Sequence, residues 1–170
     1  METTCYTSID TPLGLVLATA DGRSLRGLWF SQHQRHLPSP EQRAGWQEDA
    51  GHPLFKELAE WLGAYFAGDN PPPDLPMALA GSEFQLAVWQ LLREIGYGQT
   101  TTYGELARML AERQGRERSP AARAIGGAVG RNPISLLIPC HRVVGSGGSL
   151  VGYGGGLDRK AALLRLEGAL

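Results

Sequence analysis

The stretch GDNPPPDLPM, residues 68–77, separates two parts of the chain that differ in the spacing of their apolar residues. Four of the six residues from 71 to 76 are prolines. Such a run fits neither a helix interior nor a central strand. We therefore predict a linker of about residues 68–81 between two domains, residues 1–81 and residues 82–170.

The part before the linker predicts strands followed by a helix. Residues 3–30 contain short apolar runs, and the pair Asp21-Gly22 between two of them is typical of a β-hairpin. Residues 54–66 carry leucines and aromatic side chains at helical spacing, and Gly68 is a candidate C-terminal cap. A small α/β domain is expected.

The part after the linker predicts mainly helices. Ser82 with Gln85 forms a capping box, and Gly96 is expected to end the helix that it opens. Thr102 with Glu105 forms a second capping box. Residues 134–144, ISLLIPCHRVV, are apolar and β-branched, which predicts an extended, buried segment.

Helices over residues 102–111 and 119–130 would form a helix-turn-helix, with Ser119-Pro120 opening the second one. The interior of this second helix holds two glycines, each of which costs about 1 kcal/mol relative to alanine. Either a neighbouring helix packs closely there or another molecule approaches. Arg123 is the one long charged side chain, and such a smooth helix suits the DNA minor groove better than the major groove. A last helix would begin at Asp158 and end at Gly168.

Composition and charge exclude some classes of protein. The longest apolar runs fall short of the ~18 residues of a membrane span, and the start METTCYTSID lacks the features of a signal peptide. Two distant cysteines argue against a disulfide framework. A soluble cytoplasmic protein is expected. Residues 1–81 have a net charge of −5 and residues 82–170 of +4, which suits phosphate contact by the second part or means only an uneven surface.

Cys140 is open to three interpretations: a core residue, a metal ligand or a nucleophile. A cysteine in an apolar run is commonly an inert core residue. Its neighbours Pro139, His141 and Arg142 favour a nucleophile, because histidine or positive charge lowers a thiol pKa and the thiolate reacts. In an extended chain His141 would face away from Cys140, so a water could relay the proton. Cys5 with His33 and His36 falls short of a zinc motif, and no metal site is predicted.

Several motifs follow in order between Ser82 and Leu170: Ala121-Ala122-Arg123-Ala124, Asn132-Pro133, Pro139-Cys140-His141-Arg142-Val143, Gly152-Tyr153 with its glycines, and Glu167-Gly168. In these the sequence resembles the O6-alkylguanine-DNA alkyltransferases, also called methylated-DNA–protein-cysteine methyltransferases. Thr11-Pro12-Leu13-Gly14 and Tyr65-Phe66-Ala67-Gly68 resemble the family's N-terminal domain more loosely. The resemblance implies an α/β two-domain protein, with a ribonuclease H-like sheet and then a mainly helical, winged-helix-like domain.

The resemblance also implies an activity and the residues that carry it. Cys140 would take an alkyl group from O6 of guanine, and from O4 of thymine, irreversibly and once per molecule. His141, acting through a water and oriented by Glu167, would remove the thiol proton, while Asn132 supports the turn before the active-site segment. Tyr103 would lie at a rotated 3′ phosphate and help to protonate the base. The catalytic set is Cys140, His141, Glu167, Asn132 and Tyr103.

Binding residues are implied in the same way. Arg123 would replace the base flipped out of the duplex. The DNA-binding set is Arg123, Tyr103, Gly104, Ala121, Ala122, Gly126, Gly127 and Ser146. The pocket for the alkylated base is Val143, Val144, Tyr153 and Gly154. The partner would be double-stranded DNA bound through its minor groove by a monomer, with no cofactor and no membrane.

The sequence departs from the family at one place. Thirteen residues, RMLAERQGRERSP, separate Leu106-Ala107 from Ala121, where about seven are usual in the family. This segment is either a solvated loop or an addition to the DNA-binding surface. Three other functions stay open: a cysteine hydrolase, which would turn over and need an oxyanion hole, a damage-binding module without transfer, and a transcription regulator.

Overall fold

The computed structural model describes residues 3–32 and 34–170. It divides into two compact units, Met1–Leu79 and Ala80–Leu170. His33, one of the weighed metal ligands, lies outside the described residues, as do the first two residues of the start that was compared with a signal peptide. In the described ranges no helix is both long and apolar enough to cross a bilayer.

The first unit is a four-stranded sheet covered by a helix. Strands β1 (Cys5–Thr11), β2 (Gly14–Ala20) and β3 (Leu25–Phe30) form an antiparallel meander, and β4 (Gln47–Glu48) pairs with β1 in parallel, giving the order β3-β2-β1-β4. Helices α1 (Pro40–Arg43) and α2 (Pro53–Phe66) follow in the chain. The strands and α2 confirm the predicted α/β domain.

The predicted hairpin forms between β2 and β3. The Asp21 carboxylate accepts hydrogen bonds from the backbone N–H groups of Arg23 and Ser24, both at 2.8 Å, which fixes the turn. The apolar face of α2 is buried, and the helix ends before Gly68, which has φ 93° as expected of a C-terminal cap.

The C-terminal end of the proline-rich stretch is hydrogen-bonded to the first unit. The backbone N–H of Leu25 donates to the carbonyl of Pro76 at 2.8 Å, and that of Ala78 donates to the carbonyl of Leu25 at 2.9 Å. Leu75 is buried. A proline can lie along an edge strand because its carbonyl still accepts. Residues 76–78 therefore run beside β3.

The second unit contains four helices and a two-stranded parallel pair. The helices are α3 (Glu83–Leu92), α4 (Tyr103–Arg113), α5 (Ala122–Gly130) and α6 (Leu157–Leu166). Strand β5 (Thr101–Thr102) pairs with β6 (Val143–Val144). Contacts of α5 with α3 and with α4 give the predicted helix-turn-helix.

Two predicted helix starts and one predicted end are wrong. α3 ends at Leu92 and continues as two tight turns, and the left-handed residue that follows is Gly98 rather than Gly96. α5 begins at Ala122 with Ala121 as its N-cap, so Ser119-Pro120 lies in the connection before it. α6 is preceded by Gly156 at φ 96°, while Asp158 lies in the first turn, where its charge suits the helix dipole.

The capping boxes are partly as predicted. Ser82 and Gln85 bond reciprocally at the start of α3. Thr102 accepts from the backbone of Glu105, but the Glu105 carboxylate accepts from the Thr101 hydroxyl at 2.8 Å instead of closing the box. Gly168, at φ 76°, follows α6 as expected.

Residues 134–144 are mostly buried, as predicted, but only their last two, Val143 and Val144 in β6, form a strand. The chain turns at Leu136, which has φ 71°, and Cys140–Arg142 form one turn of 3-10 helix before β6. Both polar ends of the Asn132 side chain hold this bend: its amide nitrogen donates to the carbonyl of Ile138 at 2.7 Å, and its oxygen accepts from the N–H of Ile134 at 3.0 Å. Apolar character predicts burial, whereas one asparagine decides the conformation.

Candidate active site

Cys140 lies at the start of the 3-10 turn, directly after the bend held by Asn132. It is 7% exposed, and both Cys140 and Cys5 are free thiols. The backbone N–H of Cys140 donates to the carbonyl of Ile138 at 2.8 Å. Asn132 therefore fixes the backbone on which the thiol is carried.

Glu167 follows α6 and brings its carboxylate, which is fully buried, to the residues after Cys140. Oε2 lies 2.6 Å from Nε2 of His141, and the Arg142 guanidinium donates to Oε1 at 2.8 Å and to Oε2 at 3.2 Å. The backbone N–H of Gly98 donates to Oε1 at 3.4 Å. A buried carboxylate is stable when it is paired and hydrogen-bonded in this way.

Arg142 and Gly98 complete the support of Glu167. Nη1 of Arg142 donates to the carbonyl of Ile95 at 2.6 Å, and the guanidinium lies 5.8 Å from the ring centre of Tyr97. A Cβ atom at Gly98 would lie 3.0 Å from the carbonyl oxygen of Glu167. Glycine at this position therefore allows the backbone to approach the carboxylate residue.

The Glu167 carboxylate determines the tautomer of His141. An ionised carboxylate only accepts, so Nε2 of His141 carries the hydrogen and Nδ1 presents a lone pair. Nδ1 is buried and has no hydrogen-bond partner among the residues that the structure describes. The unpaired Nδ1 is therefore able to accept a proton.

Burial disfavours the charged forms of both the thiol and the imidazole. Burial raises the pKa of the Cys140 thiol, although a hydrogen bond from Asn132 and the charge of Lys160 act in the opposite direction. Burial lowers the pKa of His141, although the hydrogen bond with Glu167 acts against this. The neighbours of Cys140 act to lower its pKa as expected, but desolvation outweighs them and the net shift is upward.

Two tyrosines flank this site. Tyr153 meets the ring of His141 edge-on at 6.5 Å between centroids, and its hydroxyl is buried without a partner among the described residues. Burial raises the pKa of Tyr153 well above its usual range. Tyr103 donates to the carbonyls of Val151 at 3.1 Å and Gly152 at 3.4 Å, and burial, then Cys140, raises its pKa.

Lys160 is the residue of this site that the sequence reasoning missed. It is fully buried on α6, and its ammonium donates to the carbonyls of Val143, Val151 (2.9 Å) and Gly152 (3.0 Å). Burial lowers the pKa of Lys160 to about 8. The sequence does indicate that Lys160 is buried, because it shares a helix face with the apolar positions three and four residues later.

The surface of α5 is open. Ala121, Ala122 and Arg123 are exposed, and so is Gly127, where an added Cβ would meet nothing within 4 Å. At Gly126 a Cβ would make only ordinary contact, 3.8 Å from the ring of Tyr103. Close packing inside the described chain therefore does not explain these two glycines.

The remaining predicted residues divide between interior and surface. Val143, Val144 and Gly154 are buried, and Gly104 and Ser146 are exposed. In the described ranges no cluster of three or more histidine, cysteine or acidic side chains could hold a metal ion, and Cys5 and His36 join no such group.

Comparison with known proteins covers nearly the whole chain. The family model described as the DNA binding domain of 6-O-methylguanine DNA methyltransferase matches residues 83–169, and that of its ribonuclease-like domain matches residues 4–79. Proteins named methylated-DNA–protein-cysteine methyltransferase are similar. The one from Mycolicibacterium paratuberculosis is 44% identical over 95% of this chain and 91% of its own, and that from Methanosarcina acetivorans 40% over 96% and 98%.

A solved structure agrees. The Mycobacterium tuberculosis OGT in complex with DNA is 40% identical and has a TM-score of 0.85, covering 97% of this chain and 93% of its own. With these matches, the resemblance drawn from the motifs is confirmed: the chain belongs to the 6-O-methylguanine DNA methyltransferase family, with a ribonuclease-like domain followed by a DNA-binding domain.

Proposed function

We propose that this protein repairs duplex DNA by moving an alkyl group from O6 of guanine, and from O4 of thymine, to Sγ of Cys140. The observation that carries the proposal is the geometry at the thiol. A buried cysteine adjoins a histidine whose Nδ1 is free and whose Nε2 is held by a buried carboxylate at 2.6 Å. These features supply the base and the group that orients it, two of the parts that an activated nucleophile requires.

His141 takes the thiol proton. Its Nδ1 carries no hydrogen, because Glu167 holds the hydrogen at Nε2. The imidazolium that forms is stabilised by the Glu167 charge, as in other base–carboxylate pairs. A water can relay the proton, because a direct hydrogen bond between the two side chains is not required.

The transfer balances without an added reactant. The thiolate sulfur forms a bond to the alkyl carbon while the bond from that carbon to O6 breaks. The electron pair of the broken bond stays on the base, which then takes up a proton and becomes guanine. Tyr103, at the edge of the site, would assist this protonation. The product is a thioether, so each molecule acts once.

Guanine O6 lies inside the base stack, so the nucleotide must leave the duplex to reach a buried thiol. The smooth, exposed surface of α5 fits the minor groove, and Arg123 is the side chain that would occupy the vacated space. Val143, Val144, Tyr153 and Gly154 would receive the base. A monomer is sufficient for all of these contacts, and the cytoplasm would keep the thiol reduced.

Whole-protein mass spectrometry tests the proposal. Exposure to a duplex containing O6-methylguanine should add one methyl group per chain, located on Cys140. Cys140→Ser should bind the duplex and gain no methyl group, and Cys5→Ser should react as the wild type does. Continued release of product without a mass change would indicate the hydrolase instead, and DNA binding without either would leave a damage-binding module.

A further inference from the structure

The connection between α4 and α5, residues 114–121, is exposed over most of its length and firmly anchored at its start. Gly115 has φ 65°, its N–H donates to the carbonyl of Glu112 at 3.2 Å, and the N–H of Arg116 donates to that of Ala111 at 2.9 Å. These bonds reverse the chain at the end of α4. The backbone of Arg116 is therefore held in place, whereas its side chain is exposed to solvent.

The structure separates the three arginines of this region. Arg113 is the last residue of α4, and its guanidinium donates to both oxygens of Glu94, at 3.1 and 2.8 Å. Arg116 and Arg118 are exposed and form no ion pair or side-chain hydrogen bond with any residue in the described parts of the chain. Two of the three arginines are thus available to a ligand.

Charge favours an anionic ligand. From residue 114 to residue 123 the chain carries Arg116, Arg118 and Arg123 against a single acidic residue, Glu117, a net charge of +2. The two free guanidinium groups stand four and six residues before the helix whose open surface faces outward. Guanidinium groups bind phosphate oxygens in a fork, and phosphate contacts fix the position of a protein on a duplex.

We propose that the connection 114–121 is an additional DNA contact, in which Arg116 and Arg118 bind backbone phosphates beside the groove that α5 enters. This proposal rests on the proposed function, since it assumes that α5 faces DNA. It assigns a binding role to the segment in which the chain departs from its family, and it excludes Arg113 from that role.

The salt dependence of binding to an undamaged duplex tests this, with fluorescence anisotropy between 50 and 200 mM salt as the measurement. Each lost phosphate contact lowers the slope of log affinity against log salt by about 0.9, so Arg116→Ala/Arg118→Ala should lower it by about 1.8. The same fourfold rise in salt weakens the binding of both proteins. The factor by which the variant weakens should be roughly 12 times smaller than the factor for the wild type, since the slopes differ by about 1.8.

Two controls separate contact from general charge. Arg113→Ala should keep the wild-type slope, because its guanidinium is occupied by Glu94. Arg23→Ala/Arg26→Ala removes the same net charge from the first unit and should also keep it. An unchanged slope in the Arg116/Arg118 variant, or an equal fall in the Arg23/Arg26 variant, overturns the proposal.

The proposed function is measured separately on the same proteins. Methyl transfer from O6-methylguanine as the free base does not need the duplex, so the Arg116/Arg118 variant should match the wild type there. If the wild type accepts no methyl group, the proposed function fails whatever the slopes are. If it does and the slopes are equal, only the additional contact fails.

Discussion

Replacing Glu167 by glutamine removes one charge from a group of three ionisable side chains, of which those of Glu167 and His141 are fully buried and that of Arg142 is 11% exposed. The carboxylate accepts from His141 and Arg142 at distances from 2.6 to 3.2 Å, and its side chain is not exposed at all. Glutamine has nearly the same shape, but its amide nitrogen donates. If that nitrogen faces Nε2 of His141, the imidazole hydrogen moves to Nδ1 and the base is lost.

The expected effects are large on both rate and stability. Loss of a general base slows the reaction by roughly 10²–10⁴-fold. Breaking a buried ion pair costs about 3–5 kcal/mol, because the positive charge of Arg142 then faces a neutral amide instead of a carboxylate. At about 2–4 °C per kcal/mol for a chain of this size, the Tm should fall by roughly 6–20 °C.

The assay is the second-order rate of methyl transfer, measured by quenching and mass spectrometry well below the Tm of the variant. Glu112→Gln makes the same chemical change at an exposed position of α4 and should leave rate and Tm unchanged. A Glu167→Gln protein that melts lower but transfers at the wild-type rate from pH 6 to 9 would refute the assignment of Glu167 to the relay. It would then be a structural residue only.

Four further outcomes are expected. Arg123→Ala should slow transfer from duplex DNA far more than from the free base, and equal losses on both substrates would remove its role in base extrusion. Lys160→Met should raise the pH at which transfer becomes fast, because the ammonium charge lowers the Cys140 pKa. Lys160→Arg keeps a positive charge and should shift the pH profile less. A rate loss with no shift of the pH profile would leave Lys160 a purely structural residue. The Tm of the wild type should fall as the pH drops below about 6.5. Burial lowers the pKa of His141 in the folded protein, so below this pH the unfolded chain binds more protons than the folded one. A flat Tm down to pH 5 would contradict this. Methylation of Cys140, a buried thiol, should cost ~1–3 kcal/mol and lower the Tm by several degrees, and identical melting curves for the free and methylated protein would show that the pocket has spare room.

The parts of the fold that depend on neighbouring residues in sequence were predictable. The hairpin at Asp21-Gly22 forms because one carboxylate caps its own turn, and Ser82 with Gln85 opens α3 through bonds three residues apart. The start of α5 was placed wrongly because a Ser-Pro pair also fits an extended segment before a helix. Local chemistry proposes a boundary, and the packing of the helix decides it.

The residues next to Cys140 pointed to a nucleophile, but the rest of the site was predictable from the sequence only through the family resemblance. Nothing in the spacing of Glu167 links it to His141, 26 residues earlier, because α6 and the glycine-rich loop lie between them. The bend of residues 134–144 escaped prediction because one side chain holds it at two points: Asn132 accepts from the backbone two residues later and donates to the backbone six residues later. Lys160 could have been recognised, since a lysine on an apolar helix face must find acceptors inside the protein.

The raised pKa of Cys140 fits a nucleophile that is used once. A thiolate present at all times is open to oxidation and to other electrophiles, and a molecule whose nucleophilic sulfur is consumed has lost its function. In this site burial disfavours the thiolate of Cys140 and the charged form of His141, and in the proposed function His141, oriented by Glu167, would act as the base. The proton needs to move only when an alkylated base fills the pocket and an acceptor for the sulfur is present. The desolvation that slows the resting thiol is therefore also what preserves it until the substrate arrives.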